Sequence, residues 1–363
     1  MYGLVDASCQ WFFTMKNVLI DLGLRQSLGD SCIFYFHHNS KLDGIILIHV
    51  DDLLAAGSQN FEKSIMKILL QKFCFGNELT KDFTYTGISI LQKDNGEIRI
   101  NQDKFSQSLP CYEFSQAEPD HILGKDENNL IRSSTGQLNW LSSQTRPDLA
   151  YDTFCLSTRL NKATSRDAKL SNKVVQKSKN NQVQLKFSHL DFWKKLHLEL
   201  YVDAALGNIE HDNMTKSMMG YFLVLCDEKG NFNPLHWKSK IIDKVTPDIK
   251  TAETIALETA LDDAIYMSMM FSEIYTGNSD TFRIPIVINE DSKSLIQSLA
   301  STKKVKRKTF RLVISSIQQS INNGTISDVI HCSSSDQLAD IFTKSGVKSD
   351  KLLQCLASGN QIS

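Results

Sequence analysis

The segment Ile45-Ile46-Leu47-Ile48-His49-Val50-Asp51-Asp52-Leu53-Leu54-Ala55-Ala56-Gly57 sets two adjacent carboxylates between two apolar runs. Runs with β-branched residues bounded by Gly44 and Gly57 predict two short buried strands with Asp51 and Asp52 at the turn between them. Like charges in an apolar setting repel and take up protons unless a cation pairs with them. Oxygen ligation of Mg²⁺ or Mn²⁺ is therefore one account of the pair. The other is a surface hairpin whose Asp pair starts a turn.

At 363 residues the chain has room for two or more packed units. Charged residues at 22% and hydrophobic residues at 41% exclude the composition of a disordered protein. A net charge of -1 gives no global attraction to nucleic acid, so local basic patches must supply any. Eight scattered cysteines without a CxxC pair, and no secretory signal, predict reduced thiols in an intracellular protein of the cytoplasm or nucleus. No apolar run approaches the roughly 18 residues of a membrane span.

Along the chain, Trp11, Phe12, Met15, Val18, Leu19 and Leu22 recur at helical spacing, with Gly23 as the stop. A hairpin ending in the Asp pair follows, then a helix with Phe61, Ile65, Ile68, Leu69 and Phe73 on one face. A second hairpin over Thr84 to Ile100 turns at Asn95-Gly96. These elements make an α+β unit. Residues 106–130 are polar and irregular, and a helical segment containing Leu138, Trp140 and Leu141 leads to Thr145-Arg146-Pro147-Asp148. Asn161 to Lys186, rich in Lys, Ser, Asn and Gln, reads as a helical or partly flexible connector, whose lysines either follow a phosphate backbone or form a solvated helix face.

The last third changes rhythm. Leu196, Leu198, Leu200 and Val202 alternate with His197, Glu199, Tyr201 and Asp203, so one strand face is apolar and Asp203 projects from the other. Strands over Tyr221 to Cys226 and Pro234 to Lys238, a helix over 251–273, a strand ending in Asn289-Glu290-Asp291 and a strand over Thr325 to Cys332 complete a mixed α/β domain. Ser334 with Gln337 predicts a capping box for a helix carrying Asp340. Asp203, Glu253, Asp291 and Asp340 each fall at the edge of an apolar element and are far apart in sequence. Converged, they suit two divalent ions that hydrolyse a phosphodiester, and the lack of Cys or His spacing for zinc favours Mg²⁺. Taken singly, each is an ordinary surface acid.

Several motifs, in order, resemble the polyprotein of Ty1/copia-type long-terminal-repeat retrotransposons, over its reverse transcriptase C-terminal half and ribonuclease H domain. Tyr2-Gly3-Leu4 followed by Trp11 resembles the family's Tyr-Gly-Leu-Lys-Gln-Ala-x-x-x-Trp segment, with Val5 and Asp6 in place of Lys-Gln. Val50-Asp51-Asp52 is similar to its Tyr-Val-Asp-Asp signature, with His49 in place of the aromatic residue. Gly87 lies in the equivalent of a Leu-Gly-Ile segment, and Thr145-Arg146-Pro147-Asp148-Leu149-Ala150-Tyr151 resembles the connecting motif. Asp203-Ala204, Trp237-Lys238-Ser239-Lys240 and Thr251-Ala252-Glu253 resemble ribonuclease H motifs. So do Asp291 with Ser294 and Ile296, and Ala339-Asp340-Ile341-Phe342-Thr343-Lys344.

The resemblance implies a partial polymerase palm and thumb over 1–105, a connection segment and linker over 106–194, a ribonuclease H-like mixed-sheet domain over 195–345 and a tail over 346–363. It implies that Asp51 and Asp52 bind polymerase metals, and that Asp203, Glu253, Asp291 and Asp340 bind nuclease metals, Mg²⁺ or Mn²⁺. The partner it implies is an RNA/DNA hybrid or other nucleic acid, with the basic stretch Lys303-Lys304-Val305-Lys306-Arg307-Lys308 as a candidate backbone contact or a solvated loop. The family's first catalytic Asp lies upstream of the segment matching Tyr2, so this chain alone is expected not to extend a primer. The alternative is a non-catalytic transposon remnant that at most binds nucleic acid.

Overall fold

The computed structural model describes residues 6–115, 118–190, 196–211, 214–278, 284–301 and 308–361. Tyr2-Gly3-Leu4 and the basic run over 303–307 lie outside the described residues. The chain divides into two compact units, Met1–Thr80 with Ile265–Ile284, and Lys81–Ala264 with Pro285–Ser363. No helix among the described residues is long and apolar enough to cross a membrane.

In the first unit, β1 (Arg25–Gln26), β2 (Ile33–His38), β3 (Lys41–His49) and β4 (Asp52–Gly57) form an antiparallel sheet in that order. Asn39 and Ser40, at φ 50° and 60°, make the two-residue connection that matches strand twist between β2 and β3. Helix Ala7–Asp21 and the helical segment 59–72 supply Met15, Leu19, Phe61, Ile65 and Leu69 to a core with Phe34 and Ile46. In β3 only alternate side chains, Ile46 and Ile48 among them, are fully buried, and β4 is largely exposed. β4 is the edge strand of this sheet, with Leu53 and Leu54 half-buried and its other residues exposed, contrary to the expectation of two buried strands.

Gly44 and Gly57 pair across β3 and β4, and the ring of Phe61 fills the space their missing side chains leave. A Cβ built on Gly44 would lie 2.3 Å from that ring. Gly44→Ala should therefore destabilise this unit by about 1–3 kcal/mol through overpacking. Faster hydrogen exchange at the β3 and β4 amides would register it, and unchanged exchange would show that the ring yields freely.

The second unit holds two sheets. β5 (Asp82–Tyr85), β6 (Ile88–Gln92), β7 (Ile98–Asn101) and β8 (Leu185–Phe187) are antiparallel, and the expected Thr84 to Ile100 hairpin is three strands because Thr86 and Gly87, at φ 48° and 83°, make an additional turn. Helices Lys125–Gln144, Ala150–Arg159 and Ser165–Asn180 pack around Leu138, Leu141, Leu149, Leu156, Val174 and Val175. The lysine-rich connector is thus largely a packed helix that buries Ala168, Val174 and Val175. Arg146 is buried and donates to both oxygens of Asp148, at 2.8 and 2.9 Å, and to the Ser178 carbonyl at 2.8 Å, tying the Thr145 to Asp148 turn to that helix.

β9 (His197–His211), β10 (Met214–Cys226), β11 (Phe232–Ile241), β12 (Ile286–Glu290) and β13 (Ile326–His331) form a mixed sheet ordered β11-β10-β9-β12-β13. The first three are antiparallel, whereas β12 runs parallel to both β9 and β13. This is the mixed sheet expected from the sequence. Tyr201, Phe222, Phe232, Phe342 and Leu356 form a core on one face, the last of these from the terminal helix Asp350–Ser358. Helix Ile249–Thr276 begins where the Asp248 carboxylate accepts the Thr251 backbone N–H at 2.8 Å and its hydroxyl at 2.9 Å. This is the N-terminal cap that satisfies an otherwise orphaned donor.

The capping box expected of Ser334 and Gln337 does not form. The Gln337 amide donates to the Val202 carbonyl at 2.9 Å, and Asp340 lies on the 3-10 turn Asp340–Phe342.

Candidate metal centre

Asp203 lies in β9 opposite Gly220 of β10. Gly220 has no side chain to keep the next layer away: a Cβ there would be 2.4 Å from Phe342 Cβ and 3.0 Å from Thr343 Cγ2. The 3-10 turn carrying Asp340 therefore rests on bare backbone beside Asp203. Phe342 stacks on Phe222, and the Thr343 hydroxyl donates to Asp203. Lys344, one turn beyond Asp340, reaches back to Asp340 at 2.7 Å and to Asp203 at 3.3 Å.

Because β12 is parallel to β9, its C-terminal end delivers Glu290 and Asp291 to the same place, and helix Ile249–Thr276 brings Glu253 there from its second turn. One oxygen from each of Asp203, Asp291 and Asp340 forms a group within 4.8 Å, and one from each of Glu253, Glu290 and Asp291 forms a second. Asp291 belongs to both. Four acids singled out from the sequence are thus brought together, with a fifth, Glu290, that was not.

The strand pattern held a signal for that fifth acid. Ile286, Ile288 and Glu290 occupy successive inward positions of β12 and are each 0% exposed, so an acid continues an apolar series.

Burial dominates the electrostatics. It pushes the Asp203 pKa up to about 6, opposed by Lys344 and the Thr343 hydroxyl and reinforced by Asp340 and Asp291. It pushes Glu253 up to about 10, with Glu290, Asp203 and Asp291 adding repulsion, and Glu290 up to about 8 despite a hydrogen bond from the Ser292 backbone N–H. Glu253 Oε2 and Glu290 Oε2 are buried without a hydrogen-bond partner, a costly condition that a cation relieves. All donors in both groups are hard carboxylate oxygens, so the residues fit divalent cations of the Mg²⁺ or Mn²⁺ kind.

The structure does not bring Asp51 and Asp52 into this group. Both are exposed at the β3–β4 turn, where Val50 adopts φ 55° and its carbonyl accepts the Trp11 indole N–H at 2.9 Å. Among the described residues, no third His, Cys, Asp or Glu completes a metal-sized group with them.

A further cluster joins His197, Glu199 and Cys226. It was not visible as a spacing because the β9–β10 register makes it, pairing Cys226 with His197. Glu199 there accepts from Tyr201 and Gln361 at 2.7 Å each, which makes it part of a hydrogen-bonded network.

The chain is 28% identical over 280 residues to a Ty5-1 transposon protein of Saccharomyces cerevisiae, covering 72% of this chain and 87% of that one. It is 21% identical over 365 residues to the retrovirus-related Pol polyprotein from transposon RE1 of Arabidopsis thaliana and 22% identical over 363 residues to that from RE2. Each alignment covers 95% of this chain. The chain spans only 23% and 24% of those two polyproteins. No protein-family model matches it.

Among solved structures, LC11 ribonuclease H1 in complex with an RNA/DNA hybrid aligns at TM-score 0.29 and 22% identity, over 40% of this chain and 93% of that chain. Prototype foamy virus protease-reverse transcriptase aligns at TM-score 0.28 and 11% identity, over 85% and 43%.

Proposed function

We infer, for a chain whose homologues are Pol polyproteins of Ty5- and Ty1/copia-like retrotransposons, a ribonuclease H-type nuclease over residues 195–345 that hydrolyses RNA paired with DNA. The observation that carries this reading is the pair of carboxylate groups sharing Asp291 at the C-terminal end of β12. Divalent ions held by these oxygens would lower the pKa of an attacking water and stabilise the departing 3′ oxygen.

The chain's own groups have separable tasks. Asp203, with its side chain 2% exposed and held by Thr343 and Lys344, fixes the position of the shared negative charge. Asp340, with its side chain 20% exposed, forms the open side toward which a phosphodiester would approach. Lys344 offsets part of the anionic field that would otherwise repel it. Hydrolysis then breaks the bond between phosphorus and the 3′ oxygen, leaving a 5′-phosphate and a 3′-hydroxyl.

The decisive experiment is incubation of the full chain with an end-labelled RNA/DNA hybrid and Mg²⁺ or Mn²⁺. RNA fragments that appear only with the metal support the reading. Hybrid binding without cleavage selects the non-catalytic alternative.

The palm and thumb assignment of residues 1–105 and the connection assignment of 106–194 rest on the motif resemblance. The exposed Asp51-Asp52 pair, lacking a third ligand among the described residues, favours a polymerase centre that does not work in this chain alone. Primer extension by the 363-residue chain with Mg²⁺ or Mn²⁺ is expected to stay at background, and robust incorporation would refute this.

A further inference from the structure

We propose that Glu290 is a fifth carboxylate of the centre, holding a divalent cation together with Glu253 and Asp291. The inference rests on the nuclease reading above and adds a ligand to it. Glu290 Oε1 accepts the Ser292 backbone N–H at 3.0 Å, while Oε2 is buried with no partner. Glu253 Oε2 is in the same condition, and the side chains supplying these oxygens form, with Asp291, a group within 4.8 Å. Glu290 is 0% exposed and Glu253 4%, so water does not reach these oxygens freely.

Two buried orphan oxygens that close together are satisfied either by a shared proton or by a cation. The charges around them favour the cation. Lys344 pairs with Asp203 and Asp340 and has no ion pair with Glu253 or Glu290. Five ionised carboxylates and one ammonium carry a formal charge that two divalent cations balance. With four carboxylates the same two cations and Lys344 would leave an excess of positive charge. Glu290 therefore completes the ligand set of the second position and, in the absence of substrate, its charge balance.

The test is Mn²⁺ binding to the full chain without nucleic acid, read by the loss of free-ion paramagnetic resonance signal, with circular dichroism confirming that each variant is folded. The wild type should bind two ions. Glu290→Gln should weaken one of them by about tenfold or more and leave the other intact. Glu253→Gln should do the same, and Glu290→Asp, which keeps a carboxylate on a shorter stem, should lose less than the amide variant.

If Glu290→Gln binds both ions as the wild type does while Glu253→Gln loses one, Glu290 is a protonated neighbour. In that case this proposal falls and the nuclease reading stands. A wild type that binds no Mn²⁺ overturns both. Should Glu290→Gln fail to fold, an aspartate variant with wild-type affinity for both ions at the shorter reach also overturns the assignment.

Discussion

Asp203→Asn should reduce metal-dependent cleavage of an RNA/DNA hybrid by roughly 10³-fold while leaving the fold as stable as before or more so. The activity loss follows from the position of Asp203, where the 3-10 turn, β12 and the Glu253 helix meet. The amide keeps the shape but removes the charge, and its N–H₂ can point at Asp291 or Asp340 where an acceptor is required. Cation stabilisation of the transition state amounts to several kcal/mol, and each 1.36 kcal/mol is a factor of ten in rate, which sets the magnitude.

Retained stability follows from the same burial. A side chain 2% exposed whose pKa is raised to about 6 is one for which the folded state disfavours the charge, so removing it relieves the fold. The Thr343 hydroxyl still finds an acceptor in the amide oxygen, and Lys344 keeps Asp340. Parallel cleavage kinetics and thermal melts check both halves. Undiminished cleavage would place the metal site elsewhere, whereas a large drop in melting temperature would make Asp203 a structural residue first.

What the sequence made legible differs between elements for physical reasons. The acids at 203, 253, 291 and 340 were readable because each closes or opens an apolar element, and such edges gather at one end of a sheet. Their convergence depends on β12 lying parallel beside β9, and on Gly220 admitting Phe342 to close contact. Neither relation is encoded in local spacing. Glu290 reads as one more polar residue at a strand end, although its parity with Ile286 and Ile288 marks an inward position.

At Ser334 and Gln337 a local motif and the tertiary structure disagree. A local motif was present, but the Gln337 amide finds a stronger use against the Val202 carbonyl in the core, and the helix start it would have capped is a 3-10 turn. The Asp51-Asp52 hairpin was found where expected, yet the apolar run after it was no guide to burial. Ala55, Ala56 and Gly57 are small enough to stay exposed at little cost on an edge strand.

The metal-free chain should lose stability as pH rises above neutrality, and saturating Mg²⁺ should reverse that slope. Glu290 and Glu253 have folded-state pKa values near 8 and near 10 against an ordinary 4.5, so the folded chain holds protons that the unfolded chain releases. A raised carboxylate pKa contributes its stability in full below the unfolded value, and that stability is lost as pH climbs toward the folded value. For Asp203 the window closes near pH 6, leaving the two glutamates to dominate above it. Glu97 and Glu199, whose pKa values are lowered, act below about pH 4.5 and do not enter. His236, which burial keeps neutral, opposes the trend only below its ordinary 6.5.

Between pH 6.5 and 7.5 the metal-free chain should therefore lose about 1–2 kcal/mol, within the limit of 1.36 kcal/mol per group per pH unit. A cation binds the deprotonated carboxylates, so its stabilising effect grows with pH over the same range. At 100 times the dissociation constant each ion contributes about 2.7 kcal/mol, and two together raise the melting temperature by about 10 °C or more. Melting curves at pH 6.5, 7.5 and 8.5, in chelator and in excess Mg²⁺, check the sign in both states. A slope that is the same with and without the ion would mean that the buried carboxylates keep their protons and hold no cation.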